Sequence, residues 1–194
     1  MNKLSQNVLV LLFILTLTFP CLTVASDSLV LYYTRTGTNK IIAEYIHSQM
    51  PDATIAEIKT LDDRNGFFGF ITCLFDQWFD RDAEIKKPSI DLTNYDNIVC
   101  CSPIWLQDIS SPIRTYIKQS DLKGKTMHLF LTYGGRLQED NKKEIEEWMV
   151  EHGIILKGTY GSAVGGKTEE EIKKQIDDHL REAKLLEEKK VSNL

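Results

Sequence analysis

The sequence is poor in cysteine and proline, with four and five of them in 194 residues. One cysteine, Cys21, lies in the N-terminal segment, which leaves Cys73, Cys100 and Cys101 for the rest of the chain. Three cysteines without regular spacing do not form a disulfide framework, and the absence of CxxC or Cys/His clusters gives a zinc or iron–sulfur site no support. Neighbours in a strand face opposite sides of a sheet, so we predict that Cys100 and Cys101 are unpaired core residues.

Histidine is also scarce, and the pattern of a catalytic triad is missing. The four histidines are scattered, and none stands beside a Ser, Cys or pair of acids that suggests nucleophilic catalysis. We therefore predict no catalytic residue and no metal ligand, and whether the protein is an enzyme stays open.

Basic residues are outnumbered, with 23 Lys and Arg against 28 Asp and Glu, for a net charge of −5. A nucleic-acid binder needs clustered Lys and Arg for its phosphate contacts, so that class is excluded. An acidic surface suits a soluble protein, or one that docks on a basic patch of a partner. The length fits one domain.

The first 25 residues have the features of an export signal. Lys3 precedes an apolar run over residues 8–19, which is too short to span a bilayer comfortably. Small residues then lead to Ala25, so we predict a signal peptide over 1–25 and a mature domain over 26–194, exported to the periplasm. An uncleaved N-terminal membrane anchor is the main alternative. Lipidation at Cys21 is disfavoured because Thr18-Phe19-Pro20 is a poor match to the small-residue box that it needs.

Strand-like and helix-like segments alternate along the mature chain. Apolar runs of strand length lie at 28–33, 54–58, 97–102, 126–132 and 154–160, and helical patterns lie at 39–50, 112–118, 139–151 and 168–187. Such alternation implies parallel strands joined by helical crossovers. We predict an α/β fold, a three-layer sandwich around a five-stranded parallel sheet.

The loop after the first strand carries residues that suit a phosphate. Thr34, Thr36 and Thr38 supply hydroxyl donors, and Gly37 lets the backbone approach an anion closely. Asn39 is positioned to cap the following helix, whose first amides and dipole favour a negative charge. No GKS or GKT follows this loop at the spacing of a Walker A motif, and the loop is not GxGxxG. A capped Thr-rich turn without a ligand is the alternative.

This loop resembles the FMN phosphate loop of the flavodoxin family, T/S-x-T-G-x-T followed by a helix, with Asn39 departing at the last position. Residues 95–99 (YDNIV), 102–105 (SPIW) and 132–135 (TYGG) are similar to further segments of that family. The resemblance implies strand order 2-1-3-4-5 and FMN as cofactor. The residues that it assigns to FMN are Thr34, Arg35, Thr36, Gly37, Thr38, Asn39, Ser102, Pro103, Ile104, Trp105, Leu106, Thr132, Tyr133, Gly134 and Gly135.

Two of these loops would hold the flavin ring. Trp105 follows a buried strand at the edge where α/β sheets place ligands, and its indole is a stacking face for a flat ring. Asp108 is an acid near that edge, either close to the flavin or simply solvated. Tyr133 is a candidate to rim the ring, and Arg136 either offers a positive charge to a ligand or is solvated.

One segment departs from the alternation. Residues 66–79 hold five Phe and one Trp, too many aromatic side chains for an exposed loop. We predict a helix that packs over the sheet. The alternative is a lid over the flavin, or a docking surface for a redox partner or membrane.

Together these features favour an exported flavodoxin-like FMN protein that passes electrons to a redox partner protein or a small-molecule acceptor. One alternative is an NAD(P)H-dependent FMN reductase of a small substrate such as a quinone. Another is a binding module that keeps the fold without the flavin, because fold alone does not settle function. Membrane contact is expected only if the N-terminal segment stays uncleaved.

Overall fold

A computed structural model describes residues 27–185, so the predicted signal peptide lies outside the described residues. The strands are β1 (Asp27–Tyr32), β2 (Thr54–Glu57), β3 (Lys59–Thr60), β4 (Ile85–Lys86), β5 (Tyr95–Trp105), β6 (Asp108–Ile109), β7 (Thr126–Tyr133) and β8 (Ile155–Ala163). The helices are α1 (Thr38–Gln49), α2 (Gly66–Trp78), α3 (Ser111–Lys118), α4 (Glu139–Glu151) and α5 (Glu169–Glu182), with a 3₁₀ turn at Leu92–Asn94. Within residues 27–185, no helix combines the length and apolarity needed to cross a membrane.

Five strands form a parallel sheet in the order β2-β1-β5-β7-β8. Numbered among themselves along the chain, these strands follow the order 2-1-3-4-5, so the predicted topology is confirmed. Val30 of β1 lies beside Val99 of β5, and Cys101 of β5 lies beside Phe130 of β7. The short strand β6 folds back antiparallel on the end of β5. A separate ribbon pairs β3 with β4.

Helices cover both faces of the sheet, as in the predicted three-layer sandwich. On one face, Ile42 of α1 and Ile176 of α5 pack against a core that includes Phe130. On the other face, Ile113 of α3 and Met149 of α4 pack against a second core that includes Leu129. Because strand side chains alternate, adjacent residues of β7 serve different cores.

The two neighbouring cysteines follow the same alternation. Cys100 belongs to the core beneath α3 and α4, and Cys101 belongs to the core beneath α1 and α5. Both are fully buried, and both thiols are free, as is that of Cys73. Burial raises the pKa of Cys100 to about 12, so its thiol is protonated and inert at neutral pH. The prediction of unpaired core cysteines is confirmed.

Helix α2 forms where the aromatic segment predicts a helix, but it packs the other way round. Its buried residues are Gly69, Cys73, Asp76 and Gln77, whereas the Phe and Trp side chains are exposed. The prediction that the aromatic face packs over the sheet is therefore wrong. The physical reason is that the buried side of α2 is held by polar contacts to the body of the domain, and this leaves the apolar side outward.

Candidate ligand site at the carboxyl edge of the sheet

The parallel sheet brings the three predicted loops to one edge. The loops follow the carboxyl ends of β1, β5 and β7, which are adjacent strands. The backbone N–H of Tyr33 donates to Cys101 O at 3.2 Å, and Pro103 lies beside Thr132 in the strand pairing. The open edge of such a sheet is where α/β folds bind ligands.

The loop after β1 turns into α1 at a glycine. Gly37 is the N-cap residue with φ of 90°, a left-handed conformation that residues with a Cβ adopt only at a cost. An added Cβ at Gly37 would meet no atom within 4 Å, so the backbone conformation, not crowding, demands glycine. The Thr34 hydroxyl accepts from the Gly37 N–H at 3.0 Å and fixes the turn.

The N-terminus of α1 is open toward solvent. No side chain caps its first turn, which leaves the first amide N–H groups available to an anion. The Thr36 and Thr38 hydroxyls lie 3.5 Å apart beside these amides on an exposed surface. The helix dipole adds roughly half a positive charge at this end. This arrangement can bind a phosphate group.

Asn39 does not cap α1, so that part of the prediction is wrong. Gly37 occupies the N-cap position, and Asn39 lies inside the first turn with its side chain only 2% exposed. Its Oδ1 accepts a hydrogen bond from the Thr132 hydroxyl at 3.1 Å. Asn39 and Thr132 therefore join the loop after β1 to the end of β7.

The loop after β5 is a tight hairpin. Trp105 pairs with Asp108 across the hairpin, and the two residues of the turn, Leu106 and Gln107, have φ of 48° and 69°. Positive φ at both positions is typical of a type I′ turn, which usually contains Gly, Asn or Asp. The Trp105 ring contacts the buried Tyr33 ring edge to face, with centroids 5.7 Å apart. Leu106 is exposed at the tip.

Hydrogen bonds between buried polar groups stabilise the base of this hairpin. The Ser102 hydroxyl is fully buried 3.1 Å from the Ser110 hydroxyl, and it accepts from the Ser110 N–H at 3.3 Å. Asp108 is not simply solvated, because its Oδ2 accepts from Arg114 at 2.7 Å and from Gln77 at 3.0 Å. The Ser102 hydroxyl is thus used by hydrogen bonds within the protein. Only the backbone groups of Ser102 remain available to a ligand.

The hairpin is also tied to the loop after β7. The side-chain amide of Gln107 donates to Arg136 O, and its Oε1 accepts from the Gln138 N–H, both at 2.9 Å. Gly134 and Gly135 are exposed, and an added Cβ at either would meet nothing within 4 Å. The Arg136 side chain is exposed, in line with a solvated position. The Gln107 side chain therefore joins the hairpin to the loop after β7.

The loop after β1 also contacts helix α2. The Arg35 guanidinium lies over the Phe70 ring, 5.4 Å from its centroid. A cavity of about 200 Å³ adjoins Arg35, with Tyr33 and Arg64 among its lining residues. Burial raises the pKa of Tyr33 above its usual range, so its hydroxyl is neutral. Burial opposes the Arg64 charge, but the hydrogen bonds that Arg64 donates to Asp62 and Asp76 outweigh this and raise its pKa.

The comparisons with known proteins agree with this geometry. No protein-family model matches the chain, and no curated protein matches it significantly. Among solved structures, the chain is similar to a flavoprotein from Lactobacillus acidophilus NCFM that was crystallised in complex with FMN. The two share 28% identity over 71% of this chain and 93% of that one, with a TM-score of 0.59. The chain has a flavodoxin-like fold. A flavoprotein from Bacteroides uniformis is 25% identical over 78% of this flavodoxin-like chain and 98% of its own, with the same TM-score of 0.59.

A further glycine motif of this flavodoxin-like protein was missed in the sequence. Residues 161–168 (GSAVGGKT) match the spacing GxxxxGK[ST] and run from the last residues of β8 to the start of α5. The structure shows no open anion site there. The Thr168 hydroxyl accepts from the Glu171 N–H at 3.3 Å, and the Glu171 carboxylate accepts from the Thr168 N–H at 2.8 Å. This capping box places a carboxylate where a phosphate would lie, so α5 differs from α1.

Over the described range 27–185, the flavodoxin-like protein has no cluster of three or more His, Cys, Asp or Glu side chains that could hold a metal ion. The groups that this edge offers to a ligand are hydroxyls, backbone amides and an aromatic face. This donor set suits a phosphorylated aromatic ligand rather than a metal.

Proposed function

We propose that this protein binds FMN at the carboxyl edge of its sheet and acts in electron transfer. The observation that carries the proposal is the uncapped N-terminus of α1, where the hydroxyls of Thr36 and Thr38 stand open beside free amides. It lies at the same edge as the Trp105 hairpin and the Gly134–Gly135 turn. The related flavoprotein from Lactobacillus acidophilus, crystallised with FMN, supports this choice of ligand.

Each part of the edge has a role in this proposal. The amides of the first turn of α1, together with Thr36 and Thr38, bind the phosphate. Arg35 adds a positive charge nearby without a direct salt bridge being required. The Trp105 hairpin and the Gly134–Gly135 turn flank the isoalloxazine ring and offer backbone groups to its polar edge. FMN itself supplies the one- or two-electron chemistry.

The hairpin positions Trp105 rigidly for that role. Its indole is supported by the edge of Tyr33, which is buried and neutral. The turn holds Leu106 at the exposed tip, where it can cover an apolar ring. Because Gln107 fixes the hairpin to the loop after β7, the relative position of these two loops is set before the ligand enters. Such preorganisation lowers the cost of binding.

We also propose a subcellular location for the protein. The N-terminal segment over 1–25 supports export, with the periplasm as the destination and cleavage after Ala25. The acidic surface favours a basic redox partner, and a small-molecule acceptor is the other option. Mass spectrometry of the protein from its native host should find a chain that begins at Ser26. A chain that retains residues 1–25 would instead support an N-terminal membrane anchor.

The decisive experiment is a titration with FMN. Protein purified from its native compartment should be yellow, and the protein freed of ligand should quench FMN fluorescence with a saturable curve. A colourless protein that does not quench FMN at micromolar concentration would overturn the proposal in favour of a flavin-free binding module. Addition of NADPH to the loaded protein tests the reductase alternative, because a pure carrier should not bleach rapidly with NADPH alone.

A further inference from the structure

Helix α2 presents an apolar face that nothing in the described part of the chain covers. Its six aromatic side chains, over residues 67–79, are between 39% and 84% exposed. At about 200 Å² for each side chain, these fractions correspond to roughly 750 Å² of exposed aromatic surface. The largest apolar patch of an ordinary monomer is about 300–600 Å². This face is therefore large enough to need a partner.

The outward direction of this face is fixed by the polar side of the helix. Asp76 is buried and accepts from Arg64 at 2.6 Å. Gln77 is buried and donates to Asp108 Oδ2 and to Ile109 O, both at 3.0 Å. Turning the aromatic face inward would break these buried contacts and leave charged groups unpaired, which is strongly unfavourable. The face is thus held toward solvent by the fold itself.

The spacing of the exposed residues favours a helix as the partner. Phe68, Phe75 and Trp78, with the half-buried Ile71 between the first two, follow one another at intervals of three, four and three residues, the repeat of a helix-pairing seam. The one charged residue of α2 is the buried Asp76, so no charge on the exposed face opposes the approach of an identical acidic chain. The exposed area also matches the roughly 800 Å² that each partner contributes to a standard interface.

The two ends of the face complement each other. Near the start of α2, Phe67 and Phe68 form a projecting edge-to-face pair with ring centroids 5.8 Å apart. Near its end, Phe75, Trp78 and Phe79 line an apolar groove of about 320 Å³. In an antiparallel pair of helices, the projecting pair of each copy meets the groove of the other copy. A two-fold arrangement uses this match twice, as isologous interfaces do.

We propose that α2 is the interface of a homodimer, in which two copies of the chain pair their α2 helices antiparallel across a two-fold axis. The interface does not depend on the bound ligand, so it stands apart from the proposed function. It lies beside the ligand edge, because Phe70 of α2 contacts Arg35 of the loop after β1. The second copy would therefore border the site of each chain.

The test is sedimentation equilibrium of the processed protein, with and without FMN. The expected result is a mass twice that of the chain at micromolar concentration in both conditions. The double variant Phe68→Glu with Trp78→Glu should raise the dissociation constant roughly a hundredfold or more, because it places charges at the centre of the seam. Val150→Glu, at an exposed apolar position on α4, is the matched control and should remain dimeric.

Thermal unfolding at low protein concentration checks that the variants fold, since all three positions are exposed. The proposal is overturned if the wild-type protein is still monomeric at a protein concentration of roughly 100 µM. It is also overturned if the double variant is folded and still dimeric. A monomer that binds phosphatidylcholine vesicles through the same two residues would assign the face to a membrane instead. A monomer that binds no vesicles would also refute self-pairing.

Discussion

Removing the two open hydroxyls of the loop after β1 should weaken FMN binding strongly. In the variant Thr36→Ala with Thr38→Ala, the phosphate loses two hydrogen bonds, whereas the turn keeps the Thr34 hydroxyl bond to the Gly37 N–H. A hydrogen bond to a charged group is worth about 1.5–3 kcal/mol, and about 1.4 kcal/mol is a tenfold change in affinity. Each substitution should therefore raise the dissociation constant by roughly one to two decades.

The assay is fluorescence quenching of FMN at equilibrium, with riboflavin as a second ligand that lacks the phosphate. The double variant should lose affinity for FMN and leave the affinity for riboflavin nearly unchanged. Thr126→Ala is a suitable control, since Thr126 starts β7 at the opposite edge of the sheet. Unchanged FMN affinity in a folded double variant would mean that the phosphate binds elsewhere.

Three smaller predictions concern the framework. Gly37→Ala should lower the free energy of unfolding by about 1–2 kcal/mol in chemical denaturation and weaken FMN binding, because φ of 90° penalises a Cβ. Thr168→Ala should cost about 1 kcal/mol through loss of the α5 cap and leave FMN affinity intact. Burial lowers the pKa of His128, so stability should fall as the pH drops below about 6.5, where the unfolded histidine takes up its proton. His128→Gln should lose less unfolding free energy than the wild type between pH 7 and pH 5, and an equal loss would refute this reasoning.

The layout of the sheet is predictable from the sequence because strands that are buried on both faces consist of short runs of apolar residues. The runs around Val30, Val99 and Phe130 each pack into the sheet, and the alternation places Cys100 and Cys101 on opposite faces as expected. The position of the ligand edge follows directly, since parallel strands bring the loops that follow them together.

The orientation of α2 was not predictable from its composition. Aromatic residues are usually buried, and the sequence does not show that Arg64 and Asp108 lie beneath the helix, where they bind the Asp76 and Gln77 side chains. The polar residues Asp76 and Gln77, three and four residues after Cys73, were present as a weak signal. Its meaning depends on partners that are distant in the chain.

Two local features, one wrongly predicted and one not predicted, depend on backbone conformation. Asn39 has the residue type of a helix cap, but the positive φ of Gly37 starts α1 earlier and frees Asn39 for Thr132. The hairpin at Leu106 and Gln107 lacks the Gly or Asn that usually marks such a turn. Its conformation is set by the pairing of β5 with β6 and by the bonds of the Gln107 side chain.

The two hydrogen bonds of Gln107 make that side chain a spacer of fixed length between two walls of the site. A shorter amide at this position, as in Gln107→Asn, would draw the walls together or lose one contact, whereas Gln107→Glu would lose the donor and keep the length. The separation of the two loops is thus adjustable through one residue that need not touch the ligand. Changes in ligand choice can arise in this fold without any change to the loop that holds the phosphate.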